Sequence, residues 1–154
     1  MAAETTDYAD RLVDAWGYSG GYTGELTADL FSGMVCGGIL KLSQRWVIAF
    51  LTETGSMPYR PDWGTSFLTR LRAGELRTEA DVASAFLLAV DELAASLAEE
   101  ETDATPDDER YASSDLLSVG LEAGRLTVSV RIYSAAGDSR SILVPVPGSD
   151  YSNG

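Results

Sequence analysis

The stretch from Leu126 to Ile132 constrains the fold more than any other. Leu126, Val128, Val130 and Ile132 alternate with Thr127, Ser129 and Arg131. A period of two puts the apolar set on one face of a strand and the polar set on the other. Such a strand needs neighbours on both edges and a cover over one face. Candidate neighbours lie on both sides of it in the chain. Upstream, Leu117, Val119 and Leu121 share a face, and Ala123-Gly124 suits a tight turn. Downstream, Ala136-Gly137-Asp138 reads as the next turn. A third strand is expected from Ser141 to Val146, with Ile142, Val144 and Val146 facing inward. Pro145 and Pro147 have no N–H to donate, which places this strand at an edge.

The cover is expected from a long helix over Glu79 to about Glu99. Thr78 and Asp81 match a capping box with Asp in place of Glu, and Glu79 and Asp81 suit the positive end of the helix dipole. Val82, Phe86, Ala89, Leu93 and Leu97 recur at helical spacing and form a core stripe, widened by Ala85 and Val90. Leu87 and Leu88 fall outside the stripe and mark a second contact surface. Glu99, Glu100 and Glu101 crowd the negative end of the dipole, so the helix is expected to fray there into a solvated loop as far as Pro106. The fold class is therefore α+β: a long helix packed on a small antiparallel β meander, with an N-terminal arm and short helices.

The rest of the chain divides as an arm over 1–29, an α+β domain over 30–147 and a tail over 148–154. In the arm, Tyr8, Leu12, Val13 and Trp16 fall near helical spacing. A glycine- and tyrosine-rich loop follows from Gly17 to Gly24. Trp16, Tyr18 and Tyr22 are amphipathic anchors suited to a partner surface. Residues 34–42 are apolar and read as extended. Ser43 is placed to cap a helix from Gln44 to Thr52, with Gly55 as its stop. Pro58 and Pro61 forbid regular helix from Ser56 to Gly64, so a compact loop with Tyr59 and Trp63 packed is expected. Thr65 or Ser66 then caps a short helix over Phe67, Leu68 and Leu71 that ends at Gly74.

Composition removes whole classes of chemistry. The chain has 154 residues, no His, one Cys and a net charge of −13. His-based triads, His metal ligands and the usual near-neutral base are excluded. Cys36 alone builds neither a disulfide framework nor a Cys-rich zinc site. The charge opposes binding to phosphate backbones and to anionic lipid. No cofactor or metal, no nucleic acid and no membrane are expected. The apolar window from Leu30 to Leu51 contains Lys41 and Arg45, which argues for a core segment and against a membrane span. The N-terminus lacks the basic and apolar pattern of a secretory signal. The charge is uneven: acids dominate from Asp91 to Glu109, whereas Arg60, Arg70, Arg72 and Arg77 form a basic stretch before the long helix. Such a chain can present acidic and basic faces to neighbours. One enzymatic option survives these exclusions, a glycosidase built on two carboxylates drawn from Glu53, Asp62 and Glu109. A free-standing acidic interaction module is a third reading.

The motif order resembles the small baseplate wedge proteins of contractile phage tails and related injection systems, the W-like or gene-twenty-five-like group. The helix containing Gln44 leads into Leu51-Thr52-Glu53-Thr54-Gly55, which is similar to the family's Thr-x-x-Gly turn. The loop Tyr59-Arg60-Pro61-Asp62-Trp63-Gly64-Thr65 looks like its Pro-to-Gly loop. Asp108-Glu109-Arg110 takes the place of its Glu-Pro-Arg motif, without the proline, and the meander follows. The resemblance covers about Leu40 to Val146. It implies a non-enzymatic structural subunit near the tail tube that initiates the sheath. Its implied partners are other wedge proteins, tail sheath, and tube or hub proteins. The location it implies is the virion tail baseplate, assembled in the host cytoplasm. Glu109 and Arg110 would be interior anchors of a charged network holding partners. Ser141, Ile142, Leu143 and Val144 would be an edge open to strand exchange.

Overall fold

The computed structural model describes residues 37–122 and 125–146. Its elements, in order, are α1 (Gly38–Leu51), α2 (Phe67–Arg72), α3 (Glu79–Glu100), a 3-10 turn (Asp107–Glu109), β1 (Tyr111–Glu122), β2 (Arg125–Ser134) and β3 (Ser139–Pro145). The three strands form one antiparallel sheet in the order β1-β2-β3. The helices cover one face of it. α3 packs on α1 and β1, and α1 packs on β2, β3 and the 3-10 turn. This is the expected α+β architecture. The arm over 1–29, the turn at Ala123-Gly124 and the tail over 148–154 lie outside the described residues.

The core forms where the two periodicities meet. From β2, Leu126, Val128, Val130 and Ile132 are fully buried, and Val144 and Val146 join them from the third strand. From α3, Val82, Phe86, Ala89, Leu93 and Leu97 are buried, as the 3.6-residue repeat requires. α1 adds Leu42, Trp46, Ala49 and Phe50 on one stripe. Trp46 stacks on Phe50 with ring centroids 4.8 Å apart, and Phe50 also meets Phe67 at 4.7 Å and Phe86 at 5.8 Å. Offset aromatic contacts of this kind add to the area they bury. Leu87 and Leu88 stand outside the core and are exposed.

The structure corrects the first strand. Its register with β2 is irregular between Leu116 and Ser118, so Leu117 is left without an opposite residue. Leu116 now faces Val130, Val119 faces Val128 and Leu121 faces Leu126. Leu116 and Val119 therefore pack on the core, whereas Leu117 and Leu121 are exposed. A bulge shifts the phase of a strand by one residue, and alternation alone does not locate it. In β3 the expected phase is present: Ile142 and Val144 face β2's core side, and Leu143 is exposed.

Three further corrections concern the helices and their loops. Residues 38–42 are helical, not extended, and α1 ends at Leu51, before Gly55. Ser43 does not cap. It is buried inside α1, and its hydroxyl donates to the Ile39 carbonyl at 2.7 Å. α3 runs from Glu79 to Glu100, within a residue of its expected end. Two expectations at capping positions are met. The Thr78 hydroxyl accepts from the Asp81 amide, and the Asp81 carboxylate accepts from the Thr78 amide, each at 3.1 Å. Ser66 occupies the N-cap of α2, although its hydroxyl donates to Glu92 at 2.7 Å and leaves the helix amides alone.

Candidate partner-binding site and its charged junction

Glu109 is 3% exposed, an unusual position for a carboxylate. Its carboxylate lies 3.2 Å from the Lys41 ammonium and accepts a bond from the Gly38 amide at 3.4 Å. Gly38 begins α1, and Gly37 before it supplies no side-chain cap. The negative charge at the start of α1 therefore comes from a residue 71 positions away. It satisfies an orphan amide and meets the positive end of the dipole. Gly38 has φ +59, and a Cβ there would approach the Asp108 carboxylate at 3.1 Å. A glycine lets the 3-10 turn close over α1. Burial dominates the titration of Glu109 and lifts its pKa above the ordinary carboxylate value; Lys41 and the Gly38 amide pull the other way.

The junction extends along α1 and onto the end of α3. One turn after Lys41, Arg45 donates to the Glu109 carbonyl at 2.8 Å and to the Leu97 carbonyl and the Glu101 carboxylate, both at 3.3 Å. It also lies 3.5 Å from Glu100. Glu101 in turn accepts from the Tyr111 amide at 2.9 Å, where β1 begins. Arg60 pairs with Glu99 at 3.1 Å and Glu100 at 3.0 Å, and its guanidinium lies 4.8 Å from the Trp63 ring centroid. Burial works against the Arg60 charge, but the hydrogen bonds and attraction of Glu100 and Glu99 outweigh it and raise its pKa. This is why α3 keeps its last turn: two arginines neutralise the acids that would otherwise repel the dipole.

Arg110 has a different place from the one expected. It is half-buried, and its guanidinium donates to the Thr102 carbonyl at 3.0 Å and the Thr105 carbonyl at 2.8 Å. It holds the acidic loop closed, and Glu109 alone is the interior anchor. The residues that complete the interior network are Lys41 and Arg45. In the sequence they appear only as charges interrupting an apolar window. Their signal was their spacing: four apart, they share one flank of a helix otherwise committed to the core.

The two loop motifs clasp each other. The Thr65 amide donates to the Thr52 carbonyl at 2.8 Å, and the Thr54 amide donates to the Thr65 carbonyl at 3.1 Å. Gly64, at φ +111, lies so close that a Cβ would sit 2.4 Å from the Thr52 carbonyl oxygen. Trp63 is buried, and its indole donates to the Ser96 carbonyl at 3.2 Å. The Gly64 amide donates to the Ser96 hydroxyl at 3.0 Å. Tyr59, expected to pack, is instead 96% exposed, because Arg60 takes the place over Trp63.

Of the carboxylates considered for glycoside chemistry, Glu53 is paired with Arg72 and accepts from the Thr69 hydroxyl at 3.0 Å. It follows the C-terminal end of α1, whereas Glu109 caps the start. Fifteen residues at about 1.5 Å each put these ends ~20 Å apart, against the roughly 5–9.5 Å of a glycosidase pair. Asp62 is exposed in the loop. The described residues hold no cluster of three potential metal ligands, and none of their helices is long and apolar enough to cross a membrane. The basic stretch is largely spent inside the chain: Arg60 on Glu99 and Glu100, Arg70 on Glu75 and Arg72 on Glu53. Ser141, Ile142, Leu143 and Val144 lie on β3, which is an edge strand among the described residues. Trp16, Tyr18 and Tyr22 lie outside the described residues.

No protein-family model matches the chain, and no curated protein matches it. Among solved structures, the fold is similar to that of a candidate tail lysozyme from Geobacter sulfurreducens. The two share 19% sequence identity at a TM-score of 0.43, over 73% of this chain and 93% of that one. A likeness this distant assigns no activity.

Proposed function

We propose that this chain is a non-enzymatic structural subunit of a contractile-tail baseplate, of the wedge and sheath-initiator kind, which works by holding protein partners. The observation that carries the reading is the use made of the motif residues. Thr52 and Thr54 spend backbone groups on Thr65, and the Trp63 indole and the Gly64 amide are spent on Ser96. Glu109 spends its carboxylate on Lys41 and the first amide of α1. Residues used this way stiffen a scaffold. The place of β3 supports the same reading: among the described residues no strand lies beyond it, and an edge strand accepts an added strand through its backbone groups. Its register with β2 is continuous from Ser139 to Pro145, whereas β1, the other edge, is broken twice.

Cryo-electron microscopy of the assembled particle tests the proposal: the chain is expected at the tube–sheath junction, with a strand of the sheath protein beside β3. A position remote from that junction would overturn it. The glycosidase alternative predicts peptidoglycan release by purified protein that Glu109→Gln or Glu53→Gln abolishes, and finding that loss would replace the structural reading.

A further inference from the structure

The loop from Ser56 to Asp62 presents an apolar tip that the scaffold role leaves unused. Tyr59 is 96% exposed and Met57 36% exposed, and Pro58 and Pro61 beside them are exposed as well. Single exposed apolar residues need no explanation. Four within five residues of one loop, on a backbone held this firmly, call for one. The Arg60 amide donates to the Met57 carbonyl, and the Trp63 amide donates to the Arg60 carbonyl, each at 3.1 Å. Arg60 is tied to Glu99, Glu100 and the Trp63 ring, and Trp63 is anchored on α3 through Ser96. The residue next to Tyr59 is thus fixed from three sides, and two prolines restrict the remaining dihedrals. Little conformational entropy is left to lose on docking, the condition under which an exposed tyrosine becomes a binding hot spot.

We infer that Met57–Pro61 is a preformed docking knob whose Tyr59 enters an apolar pocket of a protein partner, with basic side chains around the pocket's rim. Charge decides the rim. Asp62 is exposed beside the knob, Glu99 is half-exposed, and Glu100 and Glu101 lie behind them; these four acids outnumber the two arginines, Arg60 and Arg45, that neutralise them. An acidic partner surface would be repelled, and a basic rim attracted. The inference goes beyond the baseplate reading and does not depend on it.

The test uses the full-length chain carrying p-benzoylphenylalanine in place of Tyr59, irradiated in the cell that produces it, with the same label at Leu143 on β3 as a second arm. The expected result is one discrete Tyr59 adduct, mapped to an apolar segment flanked by Arg or Lys. The protein so identified is then purified. It is expected to bind Tyr59→Ala about thirty-fold more weakly than wild type, and Tyr59→Phe nearly as well as wild type. Asp62→Lys is expected to weaken binding and flatten its dependence on salt. At this exposure Tyr59→Ala leaves the melting temperature unchanged, so lost binding does not reflect lost folding. No discrete adduct, or equal affinity of Tyr59→Ala and wild type, overturns the knob. The Leu143 arm separates the two readings. A sheath adduct there, with none at Tyr59, refutes the knob and leaves the baseplate role standing. A Tyr59 adduct to a protein that is no tail component supports the knob and refutes the baseplate role.

Discussion

The Lys41–Glu109 pair is best probed by a double-mutant cycle of Lys41→Met, Glu109→Gln and the combined variant. The side chains are 10% and 5% exposed and lie 3.2 Å apart. At an effective dielectric of about 20 their gross attraction is about 5 kcal/mol. Desolvating the two ions costs several kcal/mol each, so the net worth of the pair is near zero. Removing one member is another matter. Lys41→Met leaves a buried carboxylate facing the Gly38 amide, and Glu109→Gln removes the carboxylate that lies 3.2 Å from the Lys41 ammonium. Lys41→Met is expected to cost about 3–5 kcal/mol, whereas Glu109→Gln is expected to cost only about 0–1 kcal/mol, because burial already favours the neutral carboxyl there and glutamine still accepts from Gly38. The double variant, which removes both charges, is expected within about 0–2 kcal/mol of wild type, a coupling of at least about 1 kcal/mol. Urea unfolding monitored by the fluorescence of Trp46 and Trp63, both buried, measures all four proteins. Single costs that add to within about 0.5 kcal/mol would refute the reasoning, for they would mean the two charges do not depend on each other.

Three other outcomes follow from the geometry. Gly64→Ala is expected to destabilise by more than about 2 kcal/mol, because a left-handed backbone and a 2.4 Å approach to the Thr52 carbonyl coincide there, whereas Gly55→Ala, at φ +89 with open space around it, costs only about 1 kcal/mol; denaturant midpoints compare the two. Thr78→Ala removes the hydroxyl half of the α3 capping box and is expected to cost about 1 kcal/mol, read as a lower thermal midpoint. The raised pKa of Glu109 makes its own contribution fully present below the unfolded value of about 4.3 and lost as pH rises through the folded value. The stability advantage of wild type over Glu109→Gln is therefore expected to be larger near pH 4 than near pH 7, and a pH-independent difference would contradict the assigned shift.

Much of the architecture was legible because short-range rules coincide with it. The Thr78–Asp81 box and the Val82-to-Leu97 stripe define α3 without reference to any other segment. The Leu126–Ile132 alternation defines β2 and the face it buries. Gly74, at φ +75 with its amide bonded to the Leu71 carbonyl, ends α2 as a glycine in that position does. In each case the residues that decide the structure lie within a few positions of it.

What only the tertiary structure decided is long-range. The start of α1 was hidden because its cap, Glu109, arrives from 71 residues away. The acids at the end of α3 are held by Arg45 and Arg60, which come from segments far away in the chain. The phase of β1 depended on a bulge that shows only in its pairing with β2. Tyr59 was exposed because a guanidinium outcompeted it for the Trp63 ring. The sequence by itself determined periodicity, capping and the absence of His chemistry, since those follow from residue type and spacing. The placement of a charge depends on which opposite charge the fold brings within about 4 Å, and that separation is set only when helix, turn and sheet have packed.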